Sequence, residues 1–382
     1  MGRRQTVGRV RRAIVVTPAL RYGSWSWFED IIRHSPDVQW TVVGYGRGAL
    51  SPSENVRLVT LSGGNYLRIG RLAARPWLLW LNFLYMLPLS VIAFVLARRI
   101  QPDVVVGNGI AASVLVSPCR WISRADIWLG YHGYISHLGR AASTAIAWCL
   151  SGVSGAVCNS AGSAQEMRSV MRGRPVIAVE HWADETFFEG SLPDREPRRG
   201  MVDVLYVGRT DAEKFGQCRR VCMALAKEGL VALTVVGPRE EHVDGDGIRY
   251  VGYISSRDAL KKCYQEVDVT WAPADVDYLS RPGVESLASG CPILISDIPA
   301  VEGKCDGSIR IPRNLVPPHV GRVLDGVDDE EALSLLRAMG SGRDRIGDRN
   351  GCRRYAQERY SPRNIDAIID AWFSAPGGAG LV

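Results

Sequence analysis

Short apolar runs of strand length alternate along the chain with longer, mixed stretches of helix length. In the first half these runs are 13–17, 39–44, 56–61, 103–107, 127–131, 156–159 and 176–180. In the second half they are 202–207, 231–237, 248–251, 267–271 and 292–296. Continuously apolar strands that alternate with helices are typical of parallel sheets covered by helices on both faces. The pattern therefore predicts an α/β protein with doubly wound sheets.

The alternation stops at residues 187–200 and then restarts. This segment is polar, contains two prolines and lacks periodicity, which indicates a linker. A length of 382 residues is right for two α/β domains. We predict a first Rossmann-like domain at 1–186, a second at 201–360, and a closing helix at 361–376 that returns to the first domain. Open α/β sheets bind ligands at the carboxyl ends of their strands, so we expect the site in a cleft between the domains.

The segment 77–97 is apolar over 21 residues, long enough to be mistaken for a membrane span. It contains Asn82, Pro88 and Ser90 and lies between strands of the first sheet, so spanning would break the fold. Two interpretations stay open: a packed helix of the first domain, or a helix with one face on a membrane surface. Flanking arginines would suit the second interpretation; they are Arg68, Arg71, Arg75, Arg98 and Arg99.

Charge is distributed unequally between the two halves. Residues 1–186 contain 20 arginines, no lysine and 10 acidic residues, a balance of +10, whereas the rest of the chain has a balance of −4. A half this basic favours an anionic surface or substrate, unless the charge only aids solubility. No known nucleic-acid motif accompanies it, so we expect no nucleic-acid partner.

The nine cysteines are scattered, no two of them form a CxxC pair, and histidine is sparse. This distribution indicates neither a zinc site nor a disulfide framework, and it is typical of a reducing cytosol. The arginines near the amino terminus precede only a strand-length apolar run, which does not fit a signal peptide. We therefore expect a cytoplasmic protein.

Two groups of residues in the second half carry candidate chemistry. Gly208 and Arg209 end a strand, and Lys214 opens the next helix. A glycine lets a ligand approach the backbone, and two cations beside a helix amino terminus suit a diphosphate, unless they are ordinary solvated charges. Further on, Asp277 and Glu285 flank a Pro-Gly turn that predicts a helix from about residue 284. Its first turn offers N–H groups to an anion and a carboxylate to hydroxyls; alternatively Glu285 only stabilises the helix dipole.

At these residues the chain resembles the retaining GT-B glycosyltransferases of family 4. Two sequence motifs are characteristic of this family. The first is Gly-Arg…Glu-Lys-x-Gly after a strand. The second is an acidic residue and a glutamate separated by seven residues, followed here by ASGCPILISD at 288–297. Further agreement lies at 131–133, 158–160, 176–188 and 360–362. The resemblance spans nearly the whole chain and is more specific in the second half. It implies a GT-B fold, with two Rossmann-like domains facing across a cleft.

The resemblance also implies a role for each matching residue. Arg209 and Lys214 would neutralise the donor diphosphate, Glu285 would hold the ribose hydroxyls, and Asp277 would hold hydroxyls of the transferred sugar. His132 would contact that sugar from the first domain. The remaining implied contacts are Pro282, Gly283 and Val284 as a turn presenting backbone N–H groups, Tyr253 and Ile254 beside the base, Gly208 at the strand end, and Gly23 and Ser24 facing donor and acceptor.

The chain departs from the family pattern where the donor sugar would lie. The first acid is Asp277 rather than the usual glutamate, the usual glycine-rich turn is replaced at 278–281, and the first-strand loop has the single glycine Gly23. These departures bear on the identity of the donor sugar. The resemblance implies transfer with retention from a UDP- or GDP-sugar, without a metal or other cofactor. Members of this family often build cell-envelope polysaccharides or glycolipids. The basic first domain and the aromatic-rich segment 77–97 favour a lipid-linked or anionic acceptor at the inner membrane surface.

Three alternatives stay open at this point. The acceptor could instead be a soluble small molecule, such as a natural-product aglycone, with Trp25 and Trp27 as its binding wall. The chain could be another enzyme on the same fold, such as a sugar-nucleotide epimerase or a phosphorylase. It could also be a non-catalytic protein that binds a nucleotide sugar or nucleic acid.

Overall fold

The computed structural model describes residues 10–20, 24–46, 54–62, 80–132, 139–194, 200–210, 212–237, 247–273, 278–297, 313–326 and 328–373. The chain forms two compact units, the first made of 1–179 with 365–382 and the second of 180–364. Each unit contains one parallel sheet with helices packed on it.

The first unit contains a seven-stranded sheet. Its strands are β1 (Arg11–Thr17), β2 (Val38–Tyr45), β3 (Val56–Leu61), β4 (Val104–Asn108), β5 (Asp126–Tyr131), β6 (Gly155–Cys158) and β7 (Val176–Ala178). The spatial order is β3-β2-β1-β4-β5-β6-β7 and every pair is parallel. Its helices are α1 (Ser24–His34), α2 (Trp80–Ile100), α3 (Ile110–Val116), α4 (Cys119–Ser123), α5 (Gly139–Cys149) and α6 (Ala161–Met171).

The second unit contains a six-stranded sheet. Its strands are β8 (Val202–Val207), β9 (Val231–Val236), β10 (Ile248–Gly252), β11 (Val269–Pro273), β12 (Ile293–Asp297) and β13 (Gly321–Asp325). The order is β10-β9-β8-β11-β12-β13, again with every pair parallel. The helices are α7 (Glu185–Phe188), α8 (Ala212–Lys227), α9 (Arg257–Gln265), α10 (Arg281–Ala288), α11 (Asp329–Gly340) and α12 (Arg349–Arg359). The predicted α/β class with two parallel sheets is confirmed.

Strand β13 was not among the predicted strands. It lies at the edge of the second sheet and pairs only with β12, so it needs less apolar sequence than a central strand. Of its five residues only Val323 and Leu324 are large and apolar, and no apolar run marks it.

The chain crosses to the second unit earlier than the predicted boundary at residue 186. Glu180 accepts two hydrogen bonds from the Arg359 guanidinium, at 2.7 and 2.8 Å. Asp184 forms an ion pair with Arg257, and Phe187 is buried in the core of the second unit. Because these contacts hold residues 180–188 to the second unit, the predicted linker at 187–200 begins inside helix α7.

The last described helix, α13 (Asn364–Phe373), packs on the first unit. The ring of Trp372 lies 6.4 Å from the rings of Trp27 and Phe28 and 6.2 Å from that of Trp40, measured between centroids. The predicted return of the carboxyl-terminal helix to the first domain is therefore confirmed.

Truncation of Trp372 to alanine should lower the free energy of unfolding by about 3–5 kcal/mol, because a buried indole leaves a large cavity. Urea denaturation followed by circular dichroism measures the loss. The matched control is Trp148→Ala, whose exposed side chain should change stability by less than about 0.5 kcal/mol. Equal effects of the two substitutions would contradict the packing of α13 on the first unit.

Candidate functional site

The chain order of the second sheet reverses between β8 and β11. From β8 the chain continues outward through β9 and β10, while β11, β12 and β13 continue on the other side. Open α/β sheets bind ligands outside the carboxyl ends of the strands at such a reversal. Gly208 and Arg209 directly follow β8, and the segment 278–285 lies between β11 and β12. The structure thus brings the two predicted groups of residues to the same edge of one sheet.

A buried tyrosine fixes the loop that follows β8. The hydroxyl of Tyr206 donates a hydrogen bond to the backbone carbonyl of Arg209 at 2.6 Å. The ring of Tyr206 packs against Phe215, with 4.5 Å between centroids. The side chain of Arg209 is exposed, and half-buried Lys214 lies in the first turn of α8. Two cations therefore flank the positive end of a helix at the reversal point.

The carboxyl ends of β8, β9 and β10 approach one another very closely. A Cβ atom on Gly237 would lie 2.0 Å from the carbonyl oxygen of Gly208, so only glycine fits there. Gly237 also donates a backbone hydrogen bond to Gly252 at 3.1 Å. Tyr253 and Ile254 follow directly, the first exposed and the second half-buried. Both predicted base-contacting residues therefore lie at the same edge as Gly208.

Glu285 is held by two protein donors. Its side chain is buried, with the residue 6% exposed. Arg281 Nε donates to Oε1 at 2.8 Å, and the Tyr264 hydroxyl donates to Oε2 at 3.1 Å. Burial, and then the negative charge of Glu285, raise the pKa of Tyr264, so this hydroxyl stays protonated at neutral pH. The carboxylate is therefore fixed in position.

Helix α10 begins at Arg281, about three residues before its predicted start near Val284. Pro282 lies in its first turn, where a missing N–H leaves no hydrogen bond unmade. Gly283 and Val284 continue the same turn, so the predicted Pro-Gly turn is helical. Glu285 consequently falls beyond the first turn, so the predicted first-turn position of its carboxylate is wrong, and with it the interpretation of Glu285 as an acid on the helix dipole. Arg281 and Tyr264 determine where its carboxylate lies. The prediction that Pro282 and Val284 present N–H groups to a ligand is wrong, because proline has no N–H and the Val284 N–H donates to the Ser280 carbonyl at 3.1 Å.

Ser280 precedes α10 and is buried, yet its side chain does not cap the helix. Among the described residues its Oγ has no hydrogen-bond partner. Buried hydroxyls almost always have one, so a ligand hydroxyl or phosphate oxygen would satisfy this group. Beside it, the ring of Tyr278 lies 5.3 Å from that of His181. Sequence reasoning missed Tyr264, Ser280 and His181 as contributors to this region.

The structure describes only some of the remaining predicted site residues. Asp277 and Gly23 lie outside the described residues, and Ser24 is the first residue of α1. In the first unit, half-buried His132 follows β5, and its ring packs edge-on against Trp27 at 5.1 Å. Within the described ranges no cluster of three or more His, Cys, Asp or Glu side chains could hold a metal ion.

The interpretation of Trp25 and Trp27 as an open binding wall is wrong. Helix α1 begins at Ser24 rather than near residue 27, so both tryptophans lie on the helix instead of in a loop. Their side chains are 2% and 3% exposed. Burial of these indoles in the first unit leaves no surface on them for an acceptor.

No protein-family model and no curated protein matches this sequence. Solved structures do match the fold over almost the whole chain. Anabaena HepE, crystallised in complex with UDP, aligns with a TM-score of 0.66 at 14% identity, over 94% of this chain and 98% of its own. Sucrose-phosphate synthase from Thermosynechococcus elongatus aligns with a TM-score of 0.67 at 15% identity, over 94% and 98%. The lipopolysaccharide outer core galactosyltransferase WaaB aligns with a TM-score of 0.60 at 12% identity, over 95% and 99%.

The chain has the GT-B fold. Its two parallel sheets match these structures over about 94% of the chain, as the sequence predicted. At such low identity the likeness concerns the fold, and function has to be argued from the site. In this GT-B chain the candidate site of the second unit is the edge formed by the β8–α8 loop and the start of α10.

Proposed function

We propose that this GT-B protein transfers a sugar from a nucleotide diphosphate donor to an acceptor hydroxyl. The observation that carries the proposal is the convergence, at one sheet reversal, of the Arg209–Lys214 loop and the buried carboxylate of Glu285. The first group suits a diphosphate and the second suits hydroxyls. A nucleoside diphosphate sugar contains both at neighbouring positions.

Glu285 is built to accept a pair of hydroxyls. An ionised carboxylate has about four lone-pair positions, and Arg281 and Tyr264 occupy one on each oxygen. A carboxylate oriented in this way can accept hydrogen bonds from the two neighbouring hydroxyls of a ribose. Tyr253 and Ile254 would then border the base, at the carboxyl end of β10. UDP is the donor nucleotide that we favour over GDP, because HepE was crystallised with UDP and with UDP-glucose.

The phosphate end of the donor would lie against the β8–α8 loop. When the bond between the anomeric carbon and the phosphate oxygen breaks, its electron pair leaves on the phosphate. Arg209, Lys214 and the amino terminus of α8 would stabilise this growing negative charge without a metal ion. Ser280, at the start of α10, would hold a hydroxyl of the transferred sugar. The sugar-binding roles of Asp277 and His132 stay predictions.

We propose that the transfer proceeds with retention. The acceptor oxygen attacks the anomeric carbon from the face that the phosphate leaves, and the departing phosphate oxygen accepts the acceptor proton. One carbon–oxygen bond forms as one breaks, so the step needs no protein nucleophile and no cofactor. NMR of the first-formed product from an α-linked donor tests this step: an α product supports it and a β product contradicts it.

The acceptor is the least constrained part of the proposal. The balance of +10 in residues 1–186 favours a lipid-linked or anionic acceptor, as in cell-envelope polysaccharide or glycolipid synthesis at the cytoplasmic face of the membrane. The soluble-aglycone alternative loses its main argument because Trp25 and Trp27 are buried. A non-catalytic nucleotide-sugar binder would bind the donor in the experiments below but transfer nothing.

The diphosphate assignment predicts a nucleotide-dependent thermal stabilisation. UDP, GDP, ADP and dTDP are compared by thermal unfolding, and at about 100 times its dissociation constant the preferred nucleotide should add about 2.7 kcal/mol. The double variant Arg209→Ala, Lys214→Ala should lose this stabilisation. Lys227→Ala, which removes one positive charge at the opposite end of α8, should keep it. If no nucleotide stabilises the wild-type protein, the diphosphate assignment fails.

The hydroxyl assignment predicts discrimination between UDP and 2′-deoxy-UDP. Because a hydrogen bond to a carboxylate contributes about 1.5–3 kcal/mol, the wild-type protein should bind UDP about 10- to 100-fold more tightly. Glu285→Gln should largely remove this preference, as measured by calorimetric titration. Glu266→Gln, the same change at an exposed glutamate of the second unit, is the control and should retain it. Equal preferences in the two variants would rule out Glu285 as the ribose contact.

A further inference from the structure

Helix α2 exposes a continuous apolar face. Leu84, Leu87, Val91, Phe94 and Val95 are between 39% and 56% exposed. Successive spacings of three, four, three and one residues place them on one side of a helix. Pro88 is exposed among them, and the helix contains no charged residue before Arg98. This outer face therefore has no polar side chain that would suit it to water.

The opposite face of α2 is committed to the protein core. Met86, Leu89 and Ala93 are buried against Ile14 and Val16 of the first sheet. By length and composition α2 could cross a membrane, and 33% of its most apolar stretch is buried inside the protein. A crossing would pull the buried face off the sheet, because the strands on either side of α2 in the chain, β3 and β4, belong to that same sheet. Contact through the outer face alone keeps the core intact.

Two exposed tryptophans lie on helices that cover the same side of the sheet. Trp121 of α4 and Trp148 of α5 are each 79% exposed. Their neighbours Ile122 and Ala147 pack against the core to which α2 contributes. Gln101 ties the end of α2 to α4, since its side-chain amide donates to the carbonyls of Arg98 and Ile122 at 3.0 and 3.3 Å. Tryptophan is enriched where a protein meets the headgroup region of a bilayer.

The charges on these helices have one sign. Arg98 and Arg99 end α2, Arg120 lies on α4, and Arg124 follows it; all four are exposed. The sequences of α2, α4 and α5 contain no acidic residue. An anionic lipid surface attracts such arginines. A second copy of the chain could dock through the same surface about a two-fold axis. Its arginines would then lie close to those of the first copy, and like charges would repel.

We propose that the outer face of α2, together with Trp121 and Trp148, is a docking surface for an anionic lipid bilayer. Helix α2 lies in the plane of the interface, the apolar side chains enter the acyl boundary, and the arginines contact lipid phosphates. All residues of this docking surface belong to the first unit. Only the purpose of docking, access to a lipid-linked acceptor, rests on the proposed function.

The test is flotation of the full-length protein with two kinds of vesicle, a mixture of phosphatidylglycerol with phosphatidylcholine and phosphatidylcholine alone. The wild-type protein should float with the anionic vesicles and be released by high salt. Leu87→Glu with Val91→Glu, and separately Trp121→Ser with Trp148→Ser, should each weaken binding by about tenfold or more. The matched control is Val251→Glu, at an exposed valine of the second unit, which should float like the wild-type protein.

The outcomes separate the competing explanations. A wild-type protein that binds neither vesicle overturns the proposal, as does binding that the α2 and tryptophan variants leave unchanged. A dimer in solution that the α2 variants dissociate would instead assign this surface to a second copy. Circular dichroism and thermal unfolding of the same variants, compared with the wild-type protein, confirm that they fold, and nucleotide-dependent stabilisation is measured separately. Flotation without any nucleotide effect would retain the docking surface and reject the proposed function.

Discussion

Parallel strand pairing is the constraint on which the rest of the second unit depends. Because every strand of its sheet runs in the same direction, all carboxyl ends lie along one edge. Strands β8 and β11 are neighbours at the reversal of chain order, although about sixty residues separate them in sequence. The loop with Arg209 and the segment that leads into α10 are neighbours for that reason. The lack of a side chain on Gly237 lets its backbone approach the carbonyl of Gly208 closely at this edge.

At that edge, the protein fixes the orientation of one carboxylate. Glu285 is buried and would be costly to hold without partners. Arg281 supplies one from the preceding helical turn, and Tyr264 supplies the other from α9. With both oxygens held, the carboxylate is pre-organised before a ligand arrives, which reduces the entropy lost on binding. The buried hydroxyl of Ser280 adds a polar group to the same helix start.

The sequence predicted those features that depend on local pattern. The apolar run of β8 followed by Gly208 and Arg209 indicated a strand that ends in a loop, and the structure has both; ligand binding by this loop stays a prediction. Position along a helix was harder to predict, because Pro282 and Gly283 are typical of a turn as well as of a first helical turn. The pair of Arg281 with Glu285 has the i, i+4 spacing of a helical ion pair and could have been recognised. Tyr264, on another helix, has no local signal that links it to Glu285.

Helix α2 illustrates a second limit of prediction from sequence. Its composition was compatible with a core helix and also with a membrane-surface helix, because both are apolar. Only the packing of Met86 and Leu89, with Leu87 and Val91 left outside, separates a buried face from an exposed one. The sequence identified the segment and its flanking arginines, and the structure determined which side chains remain available to a partner.

The central claim is that the β8–α8 loop and the start of α10 bind one nucleotide diphosphate together. Amide hydrogen exchange with and without UDP tests this directly, because a bound ligand slows exchange of the backbone groups that it covers and orders. The account predicts slower exchange in peptides that cover residues 206–216 and also in those that cover 278–288. Protection of neither segment, or protection confined to other parts of the chain, would contradict it.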